Sequence, residues 1–375
     1  MRVWKTHSFF VAFLMAVFAV SLLTGCGQFF PKSGSTPTPP AGSGSYFYLA
    51  NLTGLSVSGY SVTTSNTVAG VSGSPSNLTV GVNAVTATPS GAYLYAASEI
   101  GSAIYGYALG SNGSLTLLNN STALFTGVSP LVMQVDPSGQ WLIAVDAQPV
   151  ATIFSINTST GLLTQAGTLA LDPGSPSSIT FTPDNTKMYV ALSTGGVDIF
   201  TFSASSGVLN KTGILSPKQN VNADFGVAVD PANKYLFVTE TGINAVRVLS
   251  IGTNGALTEL TGSPYATGAG PNGVLVDATG SYVYVANSTA STISGFLLSG
   301  TGALTQISGS PFPAVGTSPV SLAEDATKTY IGVANSGGGP DLQVFTISTT
   351  TPGALTTYAA TTGSSSGPFA VVSAK

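Results

Sequence analysis

Three kinds of residue are scarce in this 375-residue sequence: histidine, cysteine and charged side chains. There is one histidine and one cysteine, and only 6% of residues are charged, against roughly 25% in an ordinary soluble domain. His7 and Arg2 both fall within the first 25 residues, so the remaining chain has no histidine and a single arginine, Arg247. That excludes a Ser-His-Asp triad and a His-ligated metal site there. No Asp-rich calcium loop occurs either, and neither a metal ion nor a cofactor is expected. A net charge of −4 leaves no electrostatic footprint for nucleic acid. A lone cysteine cannot form a disulfide within the chain. Beyond residue 45 no stretch keeps a helical period.

The amino terminus is an address. Arg2 and Lys5 precede an apolar run from Phe9 to Leu23, 15 residues long, short of the roughly 20 that span a bilayer. The run ends in Leu23-Thr24-Gly25-Cys26, which resembles the lipobox of bacterial lipoproteins. The alternative is an ordinary signal peptide with a chance cysteine. The resemblance implies cleavage after residue 25, acylation of Cys26 and anchoring to a membrane of the bacterial cell envelope. Gly27 in place of Asp implies export to the outer membrane or cell surface. Residues 26–45, with Thr36-Pro37-Thr38-Pro39-Pro40 and Gly42-Ser43-Gly44-Ser45, read as an extended and flexible tether.

Residues 46–375 are repetitive. An aromatic-x-aromatic-Val-Ala-Asn segment recurs from Tyr46, Tyr93, Trp141, Lys187, Tyr235, Tyr282 and Tyr330, at intervals of 46 to 48 residues. A Pro-x-x-apolar strand ending in Asp and a turn precedes it, clearest at Pro130 to Gly139. A β-branched and aromatic run follows, then a turn and a short strand, then often a Gly-Ser-Pro loop. Four strands in about 47 residues is the size of one propeller blade. A helical solenoid of this period would need helix formers where this chain has Gly, Ser and Thr. The array starts without its Pro-x-x strand and ends, at Gly367 to Val372, with that strand alone. The expected fold is therefore all-β: a seven-bladed propeller in which the C-terminal strand joins the N-terminal blade and leaves no edge unpaired. The alternative is an open arc of seven repeats.

Tyr282-Val283-Tyr284-Val285-Ala286-Asn287, the Gly302-x-Leu304-Thr305 turn and Gly309-Ser310-Pro311 resemble the YVTN-type repeats of the lactonase family, which includes the 6-phosphogluconolactonase-like seven-bladed propellers. The resemblance covers residues 46–375. It implies an Arg-His pair at the start of an inner strand, with Arg holding an anionic substrate, and a Glu after the Asn of the next strand. The Arg-His positions here read Asn83-Ala84, Leu131-Val132, Ser177-Ser178, Phe225-Gly226, Asn272-Gly273, Val320-Ser321 and Phe369-Ala370. Only Glu99 matches, so no catalytic residue other than Glu99 is carried over.

Loops after the aromatic strands are expected to gather at one end of the channel. They offer Asn51, Glu99, Asp146, Ser193, Glu240, Asn287 and Asn335. With Asn83 and Asn272 from the inner strands, the binding candidates are Asn83, Glu99, Asp146, Glu240, Asn272, Asn287 and Asn335. For the three carboxylates, a solvated rim is the reading expected ahead of a site for a cation or polar ligand. Asp136, Asp230 and Asp277 are expected to bond their own turns. Glu324 occupies an apolar strand position; a local slip that turns it outward is expected, rather than burial with a raised pKa. Arg247 is read as a surface residue of an outer strand with no obvious partner. Gly268 to Gly273 fits a dinucleotide glycine pattern but follows no βα unit. The expected protein is a monomeric, lipid-anchored propeller that binds a protein, glycan or small molecule at its rim, or scaffolds it; the alternative is a lactone hydrolase of the 6-phosphogluconolactonase-like type.

Overall fold

The aromatic segment of every repeat is the second strand of an antiparallel sheet. The computed structural model describes residues 45–119, 122–218, 224–361 and 366–374, without the side chain of residue 224. The compact unit they belong to runs Gly42–Lys375. The signal segment, Cys26 and the tether up to residue 44 lie outside the described residues. In blade 6 the strands Pro271–Val276, Tyr282–Asn287, Thr292–Leu298 and Leu304–Gln306 lie side by side in that order, and the other repeats follow the same plan. In blades 1, 2, 5 and 6 the closing loop also returns as a two-residue strand beside the third strand, for example Phe312–Pro313, a pairing beyond the expected four strands.

Blade 1 is made from both ends of the chain. Pro368–Ala374 pairs with Tyr46–Asn51, Leu49 opposite Val371, and Ser56–Thr63 and Thr67–Gly70 complete the sheet. Inner strands pack each against the next around a closed ring, with that of blade 1 between those of blades 7 and 2. Every blade thus has its inner strand and the ring is closed, as the complementary ends of the sequence implied; the outermost strand of each blade keeps one free edge.

Seven apolar clusters fill the spaces between blades. Tyr284, Ile293 and Phe312 of blade 6 meet Ile331, Val333 and Phe345 of blade 7. Phe47 and Leu49 of blade 1 meet Ala334, Leu342 and Val344 of blade 7. A middle strand is covered on both faces by neighbours, so it reads as a continuous apolar run rather than an alternating one.

The two aromatics of the motif have separate tasks. The third residue of the strand donates its hydroxyl to a turn glycine carbonyl in the next blade: Tyr48 to Gly113 at 2.8 Å, Tyr95 to Gly161 at 3.0 Å, Tyr284 to Gly353 at 2.8 Å. The first aromatic packs on that same glycine. A Cβ at Gly113 would stand 2.4 Å from the Tyr46 ring and one at Gly353 2.4 Å from the Tyr282 ring, and both glycines have φ near +80°. Glycine alone satisfies both conditions.

Turn aspartates behave as the sequence suggests. Asp277 Oδ1 accepts from the backbone N–H of Ser281 and Tyr282 at 2.7 and 2.6 Å, and Asp136 and Asp230 hold their turns in the same way. The Gly268 to Gly273 segment opens a β-strand, not a helix. Glu324 corrects an expectation. Its strand keeps normal register, with Glu324 opposite Ile331, and the irregularity falls earlier, between Pro319 and Ser321. The half-buried carboxylate accepts from the Ala278 N–H of blade 6 at 2.6 Å, and burial pushes its pKa up to about 7.

Candidate functional site

Antiparallel pairing brings the start of each inner strand beside the end of its aromatic strand, at one end of the channel. A cavity of about 460 Å³ opens there. All fourteen positions aligned with the family's Arg-His pair line it, from Asn83-Ala84 around to Phe369-Ala370. None is cationic. Glu99 is the only charged residue on the wall among the described residues.

Much of the wall's polarity is spent on joining blades. Asn83 donates through Nδ2 to the carbonyls of Pro130 and Leu131 at 2.8 and 3.0 Å, and its Oδ1 accepts from the Glu99 N–H at 2.8 Å. Asn83 is thus fully engaged, and its effect is to position Glu99. Ser177 Oγ donates to the Phe225 carbonyl at 2.9 Å. Ser178 and Ser321 accept from Val227 and Val371 of the following blades, both at 3.2 Å. The Asn272 carbonyl accepts from Thr239 at 2.6 Å. The Glu99 carboxylate and the Asn272 side-chain amide have no protein hydrogen bond among the described residues.

The other candidates sit away from the cavity. Asp146 ends the second strand of blade 3; burial pushes its pKa up, opposed by a backbone hydrogen bond from Ser129. Asn287, Asn335 and Glu240 are buried, and each closes its own hairpin. Asn51 Nδ2 donates to Ser58 Oγ at 2.8 Å, and Asn287 Nδ2 to Ser294 Oγ at 2.9 Å. Asn335 donates to the Pro340 carbonyl at 3.0 Å.

In blade 5 the pair at these two positions is Glu240 and Arg247, 3.0 Å apart. This overturns the reading of both residues. Glu240 is 1% exposed and is no rim carboxylate; Arg247 is 3% exposed and is no surface residue. Arg247 also donates to the Ser216 carbonyl and to Glu259, which Lys218 bridges from the other side at 2.8 Å. Burial acts against ionised Glu259, but the Lys218 and Ser263 hydrogen bonds and the Arg247 charge hold its pKa below the usual range.

Blade 4 places Asp198 at the third-strand position. Burial pushes its pKa up, and Lys211 counters by bridging Asp198 and Asp172 at 2.8 and 2.5 Å. Sequence reading missed both clusters. The signal was there: Asn51–Ser58, Asn287–Ser294 and Glu240–Arg247 share a spacing of seven, which in these hairpins joins the end of the second strand to the third-strand residue two beyond its register partner.

The sequence matches the family model described as Lactonase, 7-bladed beta-propeller, over residues 41–171, 153–274 and 219–324. None of the curated proteins compared with it matches. Among solved structures, a Bacteroides uniformis protein described provisionally as a 6-phosphogluconolactonase superposes with a TM-score of 0.71 at 15% identity, covering 87% of this chain and 98% of its own. A Lactobacillus plantarum protein gives 0.70 at 18% identity, with 87% and 98% covered. The periplasmic gluconolactonase of Pseudomonas aeruginosa gives 0.69 at 15% identity, again with 87% and 98% covered. At such identities the likeness concerns the fold.

Proposed function

The chain belongs to the lactonase family of seven-bladed β-propellers, and from that premise we propose that it is a binding protein whose ligand enters the central channel, not a 6-phosphogluconolactonase. The observation that carries this reading is the composition of the wall: across all seven repeats, the fourteen positions equivalent to the family's single Arg-His pair hold no cation and no histidine. A phosphorylated lactone wants fixed positive charge, best as a bidentate arginine. The one arginine after residue 25 is buried in blade 5 against Glu240. Lactone opening also wants a group that takes a proton from water near neutral pH, and loss of such a base typically costs about 10²–10⁴ in rate.

The protein is read further as exported, lipid-anchored through Cys26 and monomeric. A fold neighbour named as periplasmic supports export. The test is hydrolysis of 6-phosphogluconolactone by the purified protein and by Glu99→Gln. The expected outcome is the uncatalysed rate for both. Lactone hydrolysis is the second reading, favoured by the family and by Glu99 at the matching position. Turnover well above background in the wild type, lost in Glu99→Gln, would put it first.

A further inference from the structure

The channel departs from a sugar-acid site in hydrophobicity as much as in charge. Four of the seven residues at the first wall position are Leu131, Phe225, Val320 and Phe369, and the second position is small in blades 1, 2, 5 and 6 (Ala370, Ala84, Gly226 and Gly273), with the glycines packed against the backbone of the next inner strand. Phe369 is 51% exposed and Ile100, beside Glu99, is 77% exposed. Large apolar side chains grouped at the mouth of a cavity mark a binding surface more often than scattered ones do. A sugar would want many free hydrogen-bonding groups, whereas Asn83 is fully engaged and Ser177, Ser178 and Ser321 each spend a bond on joining blades. The free charge is Glu99, whose blade stands between those of Phe369 and Leu131 in the ring.

Taking the channel as the binding site, we propose that its ligand is an aromatic or alkyl compound carrying a protonated amine. The apolar body lies against Phe369, Ile100, Leu131 and Phe225, and the ammonium group faces Glu99. A cation gains from the carboxylate and from the phenylalanine faces. A neutral compound of the same shape gains only from burial of its apolar area. An anion meets one like charge and no cation.

Three probes share a ring system and differ in the charge of the head group: 2-naphthylmethylammonium, 2-naphthylmethanol and 2-naphthoate. They are titrated calorimetrically at pH 7 and low salt into residues 27–375, which contain the whole closed ring and its seven cores. The ammonium probe should bind roughly tenfold tighter than the alcohol, and the naphthoate weakest. Glu99→Gln, whose side chain holds no part of the fold together, should bring the ammonium down to the alcohol. Phe369→Ser should weaken both several-fold, with melting temperature checked for each variant. Equal binding of ammonium and alcohol, or naphthoate binding as tightly as the ammonium, with Phe369→Ser weakening it, would overturn the charge assignment and leave the channel as the site. No saturable binding of any probe, or binding indifferent to Phe369→Ser, would overturn the channel reading as well.

Discussion

At the scale of single residues, the blade position that carries Asn in the repeat motif is structural wherever its hairpin partner is polar. Asn51 and Asn287 satisfy buried hydroxyls, and Glu240 does the same task with a charge. Removing one member of a buried ion pair typically costs about 3–5 kcal/mol, because the other charge stays behind unpaired. Arg247→Met should therefore destabilise by about that amount in urea unfolding. Glu240→Asn together with Arg247→Ser rebuilds the pairing of blades 1 and 6, and the double variant should be more stable than Arg247→Met. Strict additivity of Glu240→Asn and Arg247→Ser in the full cycle would show that the two residues do not act as a pair. Glu324 makes the opposite kind of prediction. Its folded pKa is raised from 4.5 to about 7 by burial, then by the Asp277 and Asp325 charges, against the Ala278 hydrogen bond and Lys328. Between those pH values the folded state keeps a proton that the unfolded chain has released. Stability from this group is present below about pH 4.5 and lost as pH rises through about 7. Glu324→Gln should raise the melting temperature at pH 8 and leave it nearly unchanged at pH 4.5, while an equal shift at both would show that its titration plays no part.

At the scale of strands, the Pro-x-x and aromatic segments were legible because each carries its own punctuation: a proline at the start, an aspartate before the turn, aromatics two residues apart that recur at a fixed interval. The short fifth strands were not legible, since two residues carry no period. The Glu240–Arg247 register was not read either, because opposite charges seven apart look unrelated until the hairpin is drawn. Glu324 was misplaced for a physical reason: an apolar alignment position was taken to reject a carboxylate, whereas the Ala278 N–H supplies a partner in the neighbouring blade. The C-terminal strand is the plainest test of this level. Every residue of Tyr46–Asn51 is buried, and Pro368–Ala374 covers one of its edges. Deleting residues 367–375 exposes that edge and opens the blade 1 core, so soluble yield should collapse or melting fall by about 10 °C or more. Cooperative melting at the parental temperature would refute the pairing.

At the scale of the whole molecule, the ring is one closed object whose covalent ends happen to meet inside a blade. The period and the complementary ends made that legible without coordinates. The chemistry of the channel was half legible: the fourteen wall positions followed from alignment of the repeats, but which polar groups on the wall are free depends on hydrogen bonds between blades that no single repeat reveals. Closure can be tested without removing any strand. Ala374 lies opposite Tyr46, as Asp277 lies opposite Tyr282 at the blade 6 turn. With Ser45 kept, about three inserted residues and Ala374→Asp would copy that turn and join the two strands as an ordinary hairpin, the kind of short connection that antiparallel neighbours accept. The chain is then opened between residues 361 and 366, so that every blade becomes continuous in sequence. Such a permutant keeps all seven cores and exchanges a strand pairing between distant ends for a local one, which lowers the entropy cost of forming blade 1. It should fold as a monomer and melt cooperatively within a few degrees of the parent. If the C-terminal segment did not occupy the inner place of blade 1, the inserted turn would force a wrong hairpin beside Tyr46–Asn51, and the permutant would unfold or aggregate.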